Sequence, residues 1–165
     1  FTPVKTMKEA KGHVDLDRCL PLNKAKLLHK ASDAAVNAGK AVTVLTYLHG
    51  VKEANMVIGE IQAEGMDVDV IEMRSLKPLD MDTIRESLRR THKVVILDES
   101  TFSGGVGATI SAAISEQAFD LLDAPVKRLC MDDAPVPYAS SMELAVVKRG
   151  SDVVQAVFDL VMKKF

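Results

Sequence analysis

Cysteine is scarce in this sequence: Cys19 and Cys130 are the only two. They permit at most one disulfide and lack any metal-ligand spacing, so both are expected to be reduced structural thiols. Charge of one sign is not in excess either. The 21 Lys and Arg against 23 Asp and Glu leave a net charge of −2, which recommends neither nucleic acid nor an anionic membrane as partner. No apolar run approaches the roughly 20 residues that cross a bilayer as a helix. Internal repeats and low-complexity stretches are missing, as is any signal-peptide pattern at the start. The chain opens on Phe1 without an initiating Met, and is expected to be a piece of something longer. What remains is an ordinary globular balance, 47% hydrophobic and 27% charged over 165 residues, enough for one domain with one sizeable core.

That domain is organised around residues 94–108. Val94-Val-Ile-Leu97 is β-branched and aliphatic, the composition of a strand at the centre of a sheet. Asp98-Glu99-Ser100 stands where such a strand runs out, and Gly104, Gly105 and Gly107 then open a helix at close quarters with a neighbour. The helix continues through Ile110, Ala113, Ile114, Ala118 and Leu121, with Ala108, Ser111, Ala112 and Ser115 on another face. Small residues admit a second helix closely, so two-sided packing is expected. Before this stretch, residues 1–19 have no period and read as an arm or linker, and residues 20–41 allow a short strand or helix. Val42 to Tyr47 is a core strand ended by His49-Gly50. Val51, Ala54, Ile58 and Ile61 recur at helical spacing up to Gly65, a C′ residue. Val68 to Met73 alternates apolar and acidic. Asp80 is an N-cap ahead of the stripe Met81, Ile84, Leu88, and Arg89, Arg90 and His92 crowd the far end, where positive charge suits the helix dipole. Val126 to Cys130 is the fourth strand, and Asp132 to Tyr138 is stiffened by two prolines. Ser151 or Asp152 caps a last helix carrying Val153, Val154, Val157, Leu160 and Val161. Alternation of this kind predicts an α/β fold, a mostly parallel sheet with helices on both faces and all the parallel strand ends on one edge.

Few residues offer chemistry. Of the histidines, His49 is best placed, just after the first core strand, as an acid or base; the plainer reading is an exposed turn residue. Asp98 and Glu99 are adjacent carboxylates, a pair able to bind metal or share a proton. Neighbouring strand residues point to opposite faces, so capping turn amides or pairing with an arginine is the favoured role. Gly104-Gly-Val-Gly107 before a helix invites an anion on the amides of Val106 and Gly107. It matches neither a dinucleotide fingerprint nor a P-loop, and close packing of the helix start explains the glycines as well.

Five stretches in order carry a resemblance: Arg74-Ser-Leu-Lys-Pro-Leu-Asp80, Thr91-His-Lys-Val-Val-Ile-Leu-Asp-Glu99, Gly104-Gly-Val-Gly-Ala108, Leu122-Asp-Ala-Pro-Val126 and Asp133-Ala-Pro-Val-Pro-Tyr-Ala139. Together they resemble the transketolase C-terminal domain family, in the form carried by the beta subunit of the thiamine-dependent pyruvate dehydrogenase component. The similarity runs from about Leu20, so that residues 20–165 form the domain, and Arg-Ser-Leu-Lys-Pro, Thr-His-Lys-Val, Glu143-Leu144 and Val146-Val147 look closest to the plastid and cyanobacterial type. The family implies a three-layer twisted sheet of about five mostly parallel strands. It also implies an assembly of two alpha and two beta subunits that decarboxylates pyruvate oxidatively towards acetyl-CoA inside a multienzyme complex. Thiamine diphosphate and magnesium would lie between the alpha subunit and the beta subunit's N-terminal domain. The Gly-Asp-Gly that holds such a cofactor occurs nowhere in this chain. The resemblance therefore assigns it no catalytic residue, no cofactor ligand and no metal ligand, and the chain alone is expected to be inactive and to bind no cofactor.

What the family assigns is assembly, with the alpha subunit, a second beta subunit and the subunit-binding domain of the acyltransferase core as partners. The implied partner-facing residues are Gly104, Gly105, Gly107, Ala108, Ser111, Ala112, Asp123 and Phe165, the last as an aromatic anchor beside the terminal carboxylate or else a frayed end. A plastid-type organelle is the implied compartment, with the mitochondrial matrix or a bacterial cytoplasm as alternatives. Two other functions stay open: the same domain of a branched-chain 2-oxoacid dehydrogenase or deoxyxylulose phosphate synthase, and a free-standing flavodoxin-like module that binds an anion at the glycine-rich turn. Without its other half the domain is expected to expose apolar surface and associate.

Overall fold

Strands buried on both faces need apolar side chains on both, and the β-branched runs of this sequence supply them. The computed structural model describes residue 21 and residues 23–163; the arm of residues 1–19, Cys19 and Phe165 lie outside the described residues. Among the described residues one sheet is formed by β1 (Lys26–His29), β2 (Ala41–Thr46), β3 (Asp67–Glu72), β4 (Val94–Thr101) and β5 (Lys127–Met131), in the order β1-β3-β2-β4-β5. β3, β2, β4 and β5 are parallel, with Val44 opposite both Val70 and Val95. Only the edge strand β1 is antiparallel, Lys26 facing Glu72. The helices are α1 (Asp33–Asn37), α2 (His49–Met56), α3 (Ile58–Ala63), α4 (Met81–Thr91), α5 (Val106–Gln117), α6 (Ser140–Val146) and α7 (Gly150–Met162).

Two cores sandwich the sheet. On one face Val42, Val44, Val68, Val70, Val95 and Leu97 meet Ala54 and Ile61 of α2 and α3 and Val153, Val157 and Leu160 of α7. On the other, Leu45, Ile71 and Ile96 meet Ile84 and Leu88 of α4 and Ile110 and Ile114 of α5. This is the three-layer, mostly parallel α/β architecture expected.

Polar side chains pin α4 to the sheet. Asp80 caps it as predicted, accepting from the Thr83 amide at 3.2 Å and the Thr83 hydroxyl at 2.6 Å. At its other end the Arg90 guanidinium donates to both oxygens of Asp69 at 3.0 and 3.1 Å, and Ser87 donates to the same carboxylate at 2.7 Å. The acidic alternation of β3 is therefore not a solvated face: Asp69 is fully buried, neutralised by an arginine from the crossover that follows.

Some boundaries differ from expectation. The helix read from Val51 to Ile61 is two, broken at Val57 (φ −102°, ψ 1°). There the start of α7 comes so close that a Cβ on Gly150 would lie 2.5 Å from Val57 Cγ1. β4 runs past Leu97 to Thr101 with a register irregularity in between. α5 stops at Gln117, and a single 3-10 turn, Phe119–Leu121, carries the chain on. The cap of α7 is corrected: Arg149 is the N-cap, and Asp152 sits inside the first turn accepting from the Arg149 amide at 2.8 Å. The short α6 follows the proline segment without having been foreseen.

Candidate functional site

The connection out of β2 leads to β3 on one side, and the next crosses to β4 on the other. Between the carboxyl ends of β2 and β4 the sheet thus has its switch point, where open α/β sheets form a crevice. Tyr47, Leu48 and His49 reach it from β2, Asp98, Glu99 and Ser100 from β4.

Asp98 organises this edge. Its side chain, 2% exposed, accepts from the Tyr47 hydroxyl at 2.5 Å and the Ser100 amide at 2.9 Å on one oxygen. The other oxygen accepts from the Ser100 hydroxyl and, at 2.6 Å, from the Gly107 amide in the first turn of α5. Burial pulls its carboxyl upward, but these hydrogen bonds outweigh that and hold it below the ordinary carboxylate value. Burial, then the hydrogen bond to this carboxylate and its charge, push the Tyr47 phenol well above its usual range. Burial, followed by the charge of Asp98, likewise raises the Cys130 thiol, which is buried and reduced, the structural thiol expected.

At the glycine-rich turn this arrangement favours close packing within the chain over an external anion. The helix start does hold an anion, but the anion is Asp98 of the same chain. A Cβ on Gly107 would come within 2.8 Å of Asp98 Oδ2 and 3.3 Å of Cys130 Sγ, so glycine is needed for the chain's own closure. Glu99 turns away from Asp98, as strand geometry requires, and its Oε1 lies 3.4 Å from His49 Nδ1. His49 is more than half exposed, with its other nitrogen 3.9 Å from Glu53, whose second oxygen accepts from the Gly150 amide at 3.0 Å. Just before it Leu48 holds φ 49° and is 77% exposed. A cavity of about 410 Å3 opens here, lined by His49, Glu99, Met131, Val136, Glu143, Val147 and Arg149.

This donor set does not fit thiamine diphosphate with magnesium. Both oxygens of Asp98 are committed to four donors, and among the described residues no three His, Cys, Asp or Glu side chains converge as a metal set.

The remaining predicted residues lie along α5 and its ends. Gly104 is exposed at φ 70°, whereas Gly105 and Gly107 are buried against their own chain. Ala108 and Ser111 are half-buried and Ala112 is exposed on the outer face of α5. Asp123 is exposed at the end of the next connection, its amide donating to the His92 carbonyl at 2.8 Å. Ser111 and Asp123 share a groove of about 470 Å3 with Ser115, Phe119, Leu122, Ala124, Pro125 and Val126. Phe119, 74% exposed, escaped sequence reasoning. The signal was there, since it falls off the stripe Ile110, Ile114, Ala118.

In this three-layer α/β domain the carboxylate near the end of β4 is engaged within the chain, and the outer helix presents small residues near a groove with an exposed aromatic side chain. Comparison with known proteins narrows the class. The family described as "Transketolase, C-terminal domain" matches residues 33–152, and the chain belongs to that family. Pyruvate dehydrogenase E1 component subunit beta of Rickettsia bellii is 38% identical over 138 residues, which is 84% of this chain and 40% of that protein. The protein of the same name from Porphyra purpurea is 38% identical over 142 residues, 86% of this chain and 40% of that one. The mitochondrial one of Dictyostelium discoideum is 36% identical over 142 residues, 86% and 38% respectively. This chain thus spans about two fifths of the length of the relatives it matches. Among solved structures, a split gene transketolase described as an inactive beta4 tetramer superposes with a TM-score of 0.71 at 25% identity, over 88% of this chain and 44% of that one.

Proposed function

We propose that this domain is the C-terminal part of a pyruvate dehydrogenase beta-type subunit and acts there as an assembly element. It would serve the oxidative decarboxylation of pyruvate to acetyl-CoA without supplying a reacting group. The outer face of α5 carries the reading: Ser111 lines the Phe119 groove, with half-buried Ala108 and exposed Ala112 on the same helix, and small side chains lose little entropy when a partner helix closes on them. A second beta subunit is the proposed occupant of that face. The alpha subunit and the subunit-binding domain of the acyltransferase core would meet the neighbouring surface around Asp123, with Phe165 as the further anchor. Thiamine diphosphate, bound elsewhere in the complete enzyme, supplies the carbanion chemistry; this domain holds the subunits that surround it. The red-algal relative supports a plastid-type compartment.

The test uses the complete subunit with its alpha partner. Ala112→Arg and Ser111→Arg are expected to abolish the heterotetramer in sedimentation and pyruvate-dependent dye reduction with it. Ala112→Arg should leave the melting temperature of the isolated chain within about 2 °C, since Ala112 is exposed and exposed substitutions cost little. A tetramer that survives both changes refutes the assembly role, and full turnover of branched-chain oxoacids without turnover of pyruvate refutes the substrate.

A further inference from the structure

We infer that the carboxyl edge of the sheet is the face on which the preceding part of the longer polypeptide docks. The inference rests on the reading above, because it requires another domain ahead of this one. It concerns a different surface from the outer face of α5. Every parallel strand is followed on this edge by an exposed apolar side chain: Leu76 beyond β3, Leu48 beyond β2, Phe102 beyond β4, and Val136 and Tyr138 beyond β5. In sheet order they cross the edge from β3 to β5. Residues 132–149 add Met142 and Leu144, and not one residue of that segment is buried. The seven residues of α6 are too few to hold a helix by propensity alone. Exposed apolar side chains gathered along one sheet edge point to an interface there. Leu48 strengthens the point: an exposed leucine is held there at positive φ, a conformation that costs on the order of 1 kcal/mol or more for such a residue.

Two observations select the occupant. Because β1 runs antiparallel to β3, with Lys26 opposite Glu72, the chain enters β1 from the carboxyl edge. Residues 23–25, which lead into β1, therefore lie on this side of the sheet, with the Ala25 amide donating to Asp80 at 3.0 Å. The relatives are long enough to supply a preceding domain, since this chain accounts for only 40% of two of them. A tethered neighbour also acts at an effective concentration of order millimolar, so a modest apolar patch suffices to hold it. Its chemistry follows from the surface. The occupant is apolar over the line from Leu76 to Tyr138.

Hydrogen exchange of the isolated chain and of the complete subunit tests this. In the complete subunit, amides of residues 47–50, 99–104 and 132–149 should exchange on the order of tenfold more slowly, with α1 unchanged. Leu48→Ser with Tyr138→Ser should abolish that slowing while leaving the isolated chain's melting temperature within about 2 °C. Equal exchange in the two forms overturns the inference. So does protection that arises only when the alpha subunit is added, or protection in the isolated chain that grows with its concentration, the signature of a second copy. A complete subunit that is protected on this edge but inactive on pyruvate refutes the functional reading alone. One that is active and unprotected refutes the docking alone.

Discussion

Replacing Asp98 by asparagine should destabilise the domain more than the loss of one negative charge implies. One carboxylate oxygen serves the Tyr47 hydroxyl and the Ser100 amide, the other the Ser100 hydroxyl and the Gly107 amide. Hydroxyls can turn and accept from an asparagine NH2, but backbone N–H groups cannot. Whichever way the new amide is turned, its NH2 therefore confronts a backbone donor, either that of Ser100 or that of Gly107. An orphaned buried donor costs about 1–3 kcal/mol, and the surviving bonds lose their charge assistance, so the sum is about 3 kcal/mol. At roughly 2–4 °C per kcal/mol for a chain of this size, the melting temperature near pH 7 should fall by about 6–12 °C. The sign with pH follows from the carboxyl's position below its ordinary value of 3.8. A depressed folded-state value stabilises above the unfolded one, and that stabilisation disappears as pH falls through the folded one. The gap between parent and Asp98→Asn should stay constant from about pH 7 to 5 and close below about pH 4. Asp67 and Asp80 are also held down, so both proteins weaken in acid and only the difference isolates Asp98. Thermal denaturation by circular dichroism across this range decides. A fall of less than about 2 °C, or a gap that widens in acid, refutes the reasoning.

Arg90→Met should leave the Asp69 carboxylate buried with its main counter-charge gone, at about 3 kcal/mol read from the urea midpoint. Adding Asp69→Asn should recover part of that loss, because the uncompensated charge is then removed. Gly107→Ala should cost about 1–3 kcal/mol by driving a methyl against Asp98 and Cys130. Gly104→Ala meets no atom within 4 Å and should cost only the roughly 1 kcal/mol of its positive φ. Equal losses at the two glycines would refute the packing explanation of the motif.

The parallel strands were legible because burial on both faces leaves a local mark: Val42 to Thr46 and Val94 to Leu97 admit almost nothing but aliphatic and β-branched side chains. The Asp80 cap was legible for the same reason, since cap and first turn lie three residues apart. Resemblance supplied the family, which composition alone could not. Hidden were the features made by distant partners. Tyr47 and Asp98 are 51 residues apart, and nothing near Asp98 announces that its second oxygen closes a helix nine residues on. The close approach of Gly150 to Val57 at the helix break comes from residues 93 apart in sequence, and α6 contributes no buried residue from which a stripe could be read.

The glycine-rich helix start shows why a local motif can mislead about function while being right about physics. Amides at a helix N-terminus attract negative charge whatever its source. Asp98, near the end of β4 and nine residues before Gly107, supplies that charge within the chain, and a diffusing anion must displace it. To bind there, a phosphate would have to break the bond from Gly107 to a buried carboxylate and then share the space with that carboxylate's charge. Repulsion between two anions at such range in a poorly solvated site exceeds what one helix terminus returns. The switch-point edge therefore keeps its shape but loses the usual ligand of such edges. What it offers instead is the exposed apolar side chains from Leu76 to Tyr138, and the proposed docking of a second domain rests on these.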